Sequence, residues 1–80
     1  MTVYVDELRD GWCHMATDGD LSELHALAAK IGLKHRWFQP HRTVPHYDLV
    51  ASKRRLAIKN GAEAVAAKEL FVKCRVDVKE

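Results

Sequence analysis

The sequence has few of the features that announce a function outright. It contains two cysteines, Cys13 and Cys74, far apart in the chain. They form no CxxC pair and no ladder of ligands, which excludes a zinc ribbon or knuckle. Nothing requires a disulfide between them, and two free thiols suit a reducing compartment. No apolar run approaches the roughly 20 residues that span a bilayer, so no membrane partner is expected. The opening MTVYVDE carries acid where a secretory leader has a basic stretch and then a long apolar one, so the expected location is the cytoplasm. There are no internal repeats, low-complexity tracts or linkers. A strong excess of either charge is also missing. The formal net charge of +2 is compatible with a phosphate-bearing partner. It falls well short of the basic stripe of a dedicated nucleic-acid binder.

What is present fits one small domain over residues 1–80, with an apolar fraction of 48%, ordinary for a globular chain. A chain this short buries only a modest share of its surface, so stability is expected to be marginal. A homodimer would hide more apolar surface, although the sequence does not demand one. The five histidines are the most informative part of the composition, because their charge changes near pH 6.

Thr2-Val3-Tyr4-Val5 is β-branched and aromatic and reads as a buried strand ending at Asp6. Glu7 to Gly19 has no clear period and reads as a loop holding Trp12-Cys13-His14-Met15. Asp20-Leu21-Ser22-Glu23 has capping-box spacing, and Leu21, Leu24, Leu27, Ala28 and Ile31 recur at helical spacing up to Gly32. A helix over Leu21 to Ile31 follows. Lys34 to Gln39, with Trp37-Phe38, reads as a second strand with Trp37 in the core, stopped by Pro40. His41 to Val50 reads as a second loop, and Ser52 is placed to cap a helix running to Asn60 before Gly61. Two readings remain beyond that point. Either Glu63-Ala64-Val65 is a strand and Ala66 to Cys74 a helix, or a helix runs from Ala62 to Phe71 and the alternating tail from Val72 is a strand. The first suits the β-α-β-α rhythm. The expected class is α/β, a small β-α-β-α(-β-α) domain with a short, mainly parallel sheet. In such sheets ligands bind beyond the carboxyl ends of the strands, where both polar loops would open.

MTVYVDE, Trp12-Cys13-His14-Met15, Glu23-Leu24-His25 with Ala28 and Gly32, Pro45-His46-Tyr47-Asp48-Leu49, Arg55, Ala57 and Gly61-Ala62 together resemble the family called domain of unknown function 4031. The resemblance implies a bacterial or phage origin and points to the same two loops. It carries no activity.

Several constellations in those loops are capable of chemistry. His14, His25 and His46 with Asp6, Asp18 and Asp48 are candidate ligands for a divalent metal, since imidazole with carboxylate suits zinc, manganese or iron. The bland alternative is a set of separate capping and loop residues, and no pair has HExxH-type spacing. Cys13 beside His14 has the residue types of a nucleophile and its base, but side chains adjacent in sequence diverge and packed inert cysteines are common. His46-Tyr47-Asp48 offers a general base, a phenol and an orienting carboxylate, or else a turn stiffened by Pro45. Lys53-Arg54-Arg55 at a helix start would favour an anion, with Arg55 singled out; a solvated basic face is the alternative. Trp12 in its loop is the better aromatic candidate for a ligand contact.

Two functional classes follow. In one, the chain acts on or binds a phosphate-containing substrate, nucleotide or nucleic acid. His14, His46, Asp48 and Asp6 are then the catalytic or metal groups, and Trp12, Tyr47, Arg55 and His25 contact the ligand. In the other it is a non-catalytic bacterial or phage interaction protein that binds a host macromolecule. Convergence of the polar residues in one cleft discriminates the two.

Overall fold

A computed structural model describes residues 2–76. Its first strand, β1 (Val3–Val5), is the one expected. The segment after it is not a loop. Asp10 and Gly11 both adopt positive φ, 54° and 84°, and Arg9 and Trp12 exchange two backbone hydrogen bonds of 2.7 and 3.1 Å around them. This is the two-residue turn whose twist matches that of paired strands, and Asp-Gly is its preferred sequence. It sends the chain back as β2 (Trp12–Thr17), antiparallel to β1 with Val5 opposite Met15.

Helix α1 (Leu21–Lys30) begins as its sequence requires: the Asp20 carboxylate accepts from the Ser22 N–H at 3.0 Å. It ends at Gly32, φ 88°, where the Leu33 N–H reaches Ala28 O and the Gly32 N–H reaches Ala29 O. That pair of bonds is a Schellman motif. The second strand expected over Lys34–Gln39 does not exist. The segment holds one 3₁₀ turn, His35–Trp37, and Trp37 is exposed rather than in the core. The second polar loop also contains a strand, β3 (Tyr47–Val50), paired antiparallel with β2 so that His14 faces Asp48 and Trp12 faces Val50.

β3 passes directly into α2 (Ala51–Lys59). Val50 therefore holds the cap position, and Ser52 does not cap. α2 ends at Gly61 in the same Schellman arrangement as α1. After it, β4 (Glu63–Ala64) lies parallel to β1, and α3 (Ala67–Cys74) completes the described chain. Of the two sequence readings of this region, the strand-then-helix one is observed. Val72 and Cys74 are helical, and Asp77 to Glu80 of the alternating tail lie outside the described residues.

The sheet order is β3-β2-β1-β4. Only β1 and β4 pair in parallel, so the sheet is mixed and not mainly parallel. Its two faces do different work. Val5, Cys13, Met15, Tyr47 and Leu49 pack against Leu24, Leu27, Ala28 and Ile31 of the α1 region and Ala57 of α2. Each fully buried large side chain there contributes on the order of 1.5–3 kcal/mol. On the opposite face, Tyr4 and Ala16 meet Leu70 and Cys74 of α3, together with Val44. The short α3 covers only part of that face. The uncovered part carries His14 and Asp48.

Candidate functional site

Strand alternation builds the site. Cys13 and Met15 of β2 point into the core, so Trp12 and His14 point to the other face. On β3, Tyr47 and Leu49 are buried, and Asp48 takes the opposite face with His46 just before it. The register then places His14 beside Asp48. The rings of His14 and His46 meet edge to face, 5.0 Å between centroids. One ligand atom from each of His14, His46 and Asp48 lies within 4.8 Å of the others. The two histidines share a cleft because β2 and β3 are antiparallel neighbours, not because loops follow parallel strands.

The hydrogen-bond partners set which ring nitrogen is available. Asp6 is 3% exposed, and its carboxylate accepts twice from His14: the backbone N–H at 2.6 Å and Nδ1 at 2.8 Å. An ionised carboxylate only accepts, so the His14 proton sits on Nδ1 and a neutral ring presents a bare Nε2. His46 Nδ1 lies 2.7 Å from the Val44 carbonyl, another pure acceptor, and its Nε2 is likewise bare, 3.6 Å from Asp48 Oδ1. A ring nitrogen held by a carboxylate or carbonyl, with the other nitrogen free, is the arrangement that orients metal-binding histidines. His41 is opposite in kind. Its Nδ1 accepts from the Thr43 and Val44 N–H groups, at 3.1 and 3.3 Å, so the neutral ring offers an Nε2–H donor. His41 lines the same cleft, of about 240 Å³, closed on the far side by Ala67, Leu70 and Phe71 of α3.

Asp48 does not line that cleft but borders a larger one of about 540 Å³, lined by Trp12, Leu33, Arg36, Trp37, Phe38, Gln39, Val50 and Lys53. Gln39 Nε2 donates to Asp48 Oδ2. The Asp48 carboxylate thus belongs to the larger cleft while lying within reach of the His14 and His46 rings.

The remaining expected residues fall elsewhere. His25 and Tyr47 are absent from both clefts; the Tyr47 hydroxyl lies 2.8 Å from His25 Nδ1 on the core side of the sheet, beside Phe38 and His35. Burial, then the neighbouring His35, lowers the pKa of His25, and burial raises that of Tyr47. Asp18 bonds Thr2 and Tyr4, away from the histidines. Arg55 is exposed and lines neither cleft. Its neighbours do specific work instead: Lys53 Nζ donates to Ile31 O and Arg54 Nε to Asp6 O, both at 2.8 Å. Arg54 thereby anchors the backbone of the residue that holds His14. Cys13 is buried, and burial followed by the Asp6 charge pushes its thiol up to about 11, which removes the thiolate a nucleophile needs. Trp37, expected in the core, lines the larger cleft, and His41, Gln39 and Val44, not singled out from sequence, line the clefts too.

A family model described as Protein of unknown function (DUF4031) matches residues 3–77. The chain belongs to this family. The match covers β1 to α3, so both clefts of this DUF4031 member lie within the shared region. No curated protein and no solved structure matches the chain. Among the described residues no helix is long and apolar enough to cross a membrane.

Proposed function

We propose that this domain binds a divalent cation through His14, His46 and Asp48 and uses the site on a phosphate-bearing molecule. The observation that carries this reading is the matched pair of histidines. Each has its Nδ1 proton committed to a fixed acceptor, and each ring has a ligand atom within 4.8 Å of one from Asp48, His46 Nε2 at 3.6 Å from Oδ1. Two imidazoles and a carboxylate suit zinc, manganese or iron, and leave coordination positions for water and ligand. Bound there, the cation would lower the pKa of a water and polarise a phosphoryl oxygen. The chain's own groups supply the rest. Asp6 holds the His14 ring and the Val44 carbonyl holds His46. His41 lines the same cleft, and its Nε2–H donor suits a phosphate oxygen.

The test is calorimetric titration of Zn²⁺ and Mn²⁺ into protein purified without chelator or histidine tag, with elemental analysis of the protein as isolated. Saturable binding near one cation per chain is expected. His14→Ala and His46→Ala should each abolish it, and His35→Ala should not. Turnover of a simple phosphodiester such as bis(p-nitrophenyl) phosphate should follow the same variants. A folded protein whose melting point ignores both cations would end this reading and favour a non-catalytic interaction protein.

A further inference from the structure

Both tryptophans of the chain lie on one cleft, and neither is in the core. Trp12 is 55% exposed and Trp37 45%. Indoles are mostly buried in folded chains, so two of them wetted around one concavity need a reason. The cleft, at about 540 Å³, falls in the size range that holds one small ligand. Its chemistry is mixed in an ordered way. The two indoles offer flat, partly exposed faces. Arg36 and Lys53 bring positive charge, and Lys34 Nζ sits 5.8 Å above the Trp37 ring. Asp48, which also belongs to the histidine cluster, lines the same cleft, with the Gln39 amide held against it.

We infer that this cleft binds a nucleoside phosphate, its base stacked on Trp12 and Trp37 and its phosphate turned toward His14, His46 and Asp48. A base stacks on any indole face, which explains why exposed indoles are useful. A guanidinium and an ammonium in the same wall complement a phosphate anion. Asp48 lines this cleft and has a ligand atom within 4.8 Å of those of His14 and His46, so a phosphate beside it is close to the histidines. The direction of the phosphate rests on the metal reading above; the seat of the base does not.

The two tryptophans are also the reporter. The four ribonucleoside 5′-monophosphates, and their nucleosides, are titrated into the protein while tryptophan emission is followed, with Mn²⁺ and with EDTA. At least one monophosphate should change the emission saturably. Its nucleoside should do so more weakly and without regard to metal. Trp12→Leu and Trp37→Leu, both at exposed positions, should each weaken binding about tenfold by calorimetry, with circular dichroism unchanged. Arg36→Gln should weaken the monophosphate and spare the nucleoside. No saturable change with any of the eight compounds, in protein that binds Mn²⁺, overturns this inference and leaves the metal site standing. Monophosphate binding that ignores EDTA and His46→Ala but needs both indoles supports the base seat and overturns the metal reading. A short single-stranded oligonucleotide that binds more tightly than every monophosphate, through the same indoles, overturns the free nucleotide in favour of a nucleic acid.

Discussion

Asp6→Asn separates the role of the site's buried carboxylate from its role in the fold. The side chain is 4% exposed, so solvent offers little screening of its contacts. Asn keeps one oxygen and can still accept the His14 backbone N–H, bonded at 2.6 Å in the native chain. The second oxygen, 2.8 Å from Nδ1, becomes an amide donor. A protonated Nδ1 would then face N–H groups, so the ring must move its proton to Nε2. That consumes the lone pair that a cation would need. Loss of an outer partner of a metal-binding histidine costs about 10- to 100-fold in affinity, which is about 1.4–2.8 kcal/mol. The fold loses less, because a charge-assisted bond becomes a neutral one, at about 1 kcal/mol. Calorimetry with Zn²⁺ measures the first quantity and a urea melt the second. Nitrogen-15 spectra of the imidazoles give a direct view of the cause: Nδ1–H for His14 and His46 but Nε2–H for His41 in the native protein, with His14 alone switched in the variant. Folded Asp6→Asn that binds Zn²⁺ within about twofold of the native chain would refute this reasoning, since losing the carboxylate behind His14 should cost about tenfold or more.

Burial raises both thiols to about 11, so Cys13 and Cys74 should react with Ellman's reagent at pH 7.5 only as the chain unfolds; rapid labelling of folded protein would contradict their placement. His25 has its pKa lowered from 6.5, chiefly by burial. The stability gained by keeping it neutral is therefore complete above 6.5 and is lost as pH falls through the depressed value. The urea midpoint should drop between pH 7.5 and 5, and His25→Gln should show a smaller drop; an identical drop would mean that other groups account for it.

Local signals in the sequence were sufficient for some elements. Asp20, the leucine spacing and Gly32 all act within α1 itself, and the helix is where they put it. β2 was hidden for a physical reason. The sheet is covered on both faces, so Met15, Ala16 and Thr17 are all buried and the strand's period of two is blurred. Asp10-Gly11 was the readable signal there, a hairpin turn by composition. Trp37-Phe38 has strand propensity, but Phe38 turns inward against His25 and Tyr47 while Trp37 stays outside, which a 3₁₀ turn permits. The meeting of His14 with His46 depends on pairing between β2 and β3, and no spacing along the chain encodes it. The Val44 carbonyl is invisible to a residue-type reading, since every residue has one. Arg55 was singled out in sequence; direction around the helix decides that Arg54 instead reaches Asp6.

The tight turn at Asp10-Gly11 makes the cleft and the core two readings of one frame. Along β2, Trp12 and His14 line the clefts while Cys13 and Met15 serve the interior. Inserting or deleting one residue in the turn would exchange these sets at a stroke, burying an imidazole and exposing a methionine. The protein therefore has no route to a half-formed site on an intact core. Whatever binds at His14 is recognising the folded state as a whole, and each increment of binding free energy becomes resistance to unfolding by mass action. For a domain with this little interior, the cation or nucleotide would be part of what keeps the chain folded at its working concentration.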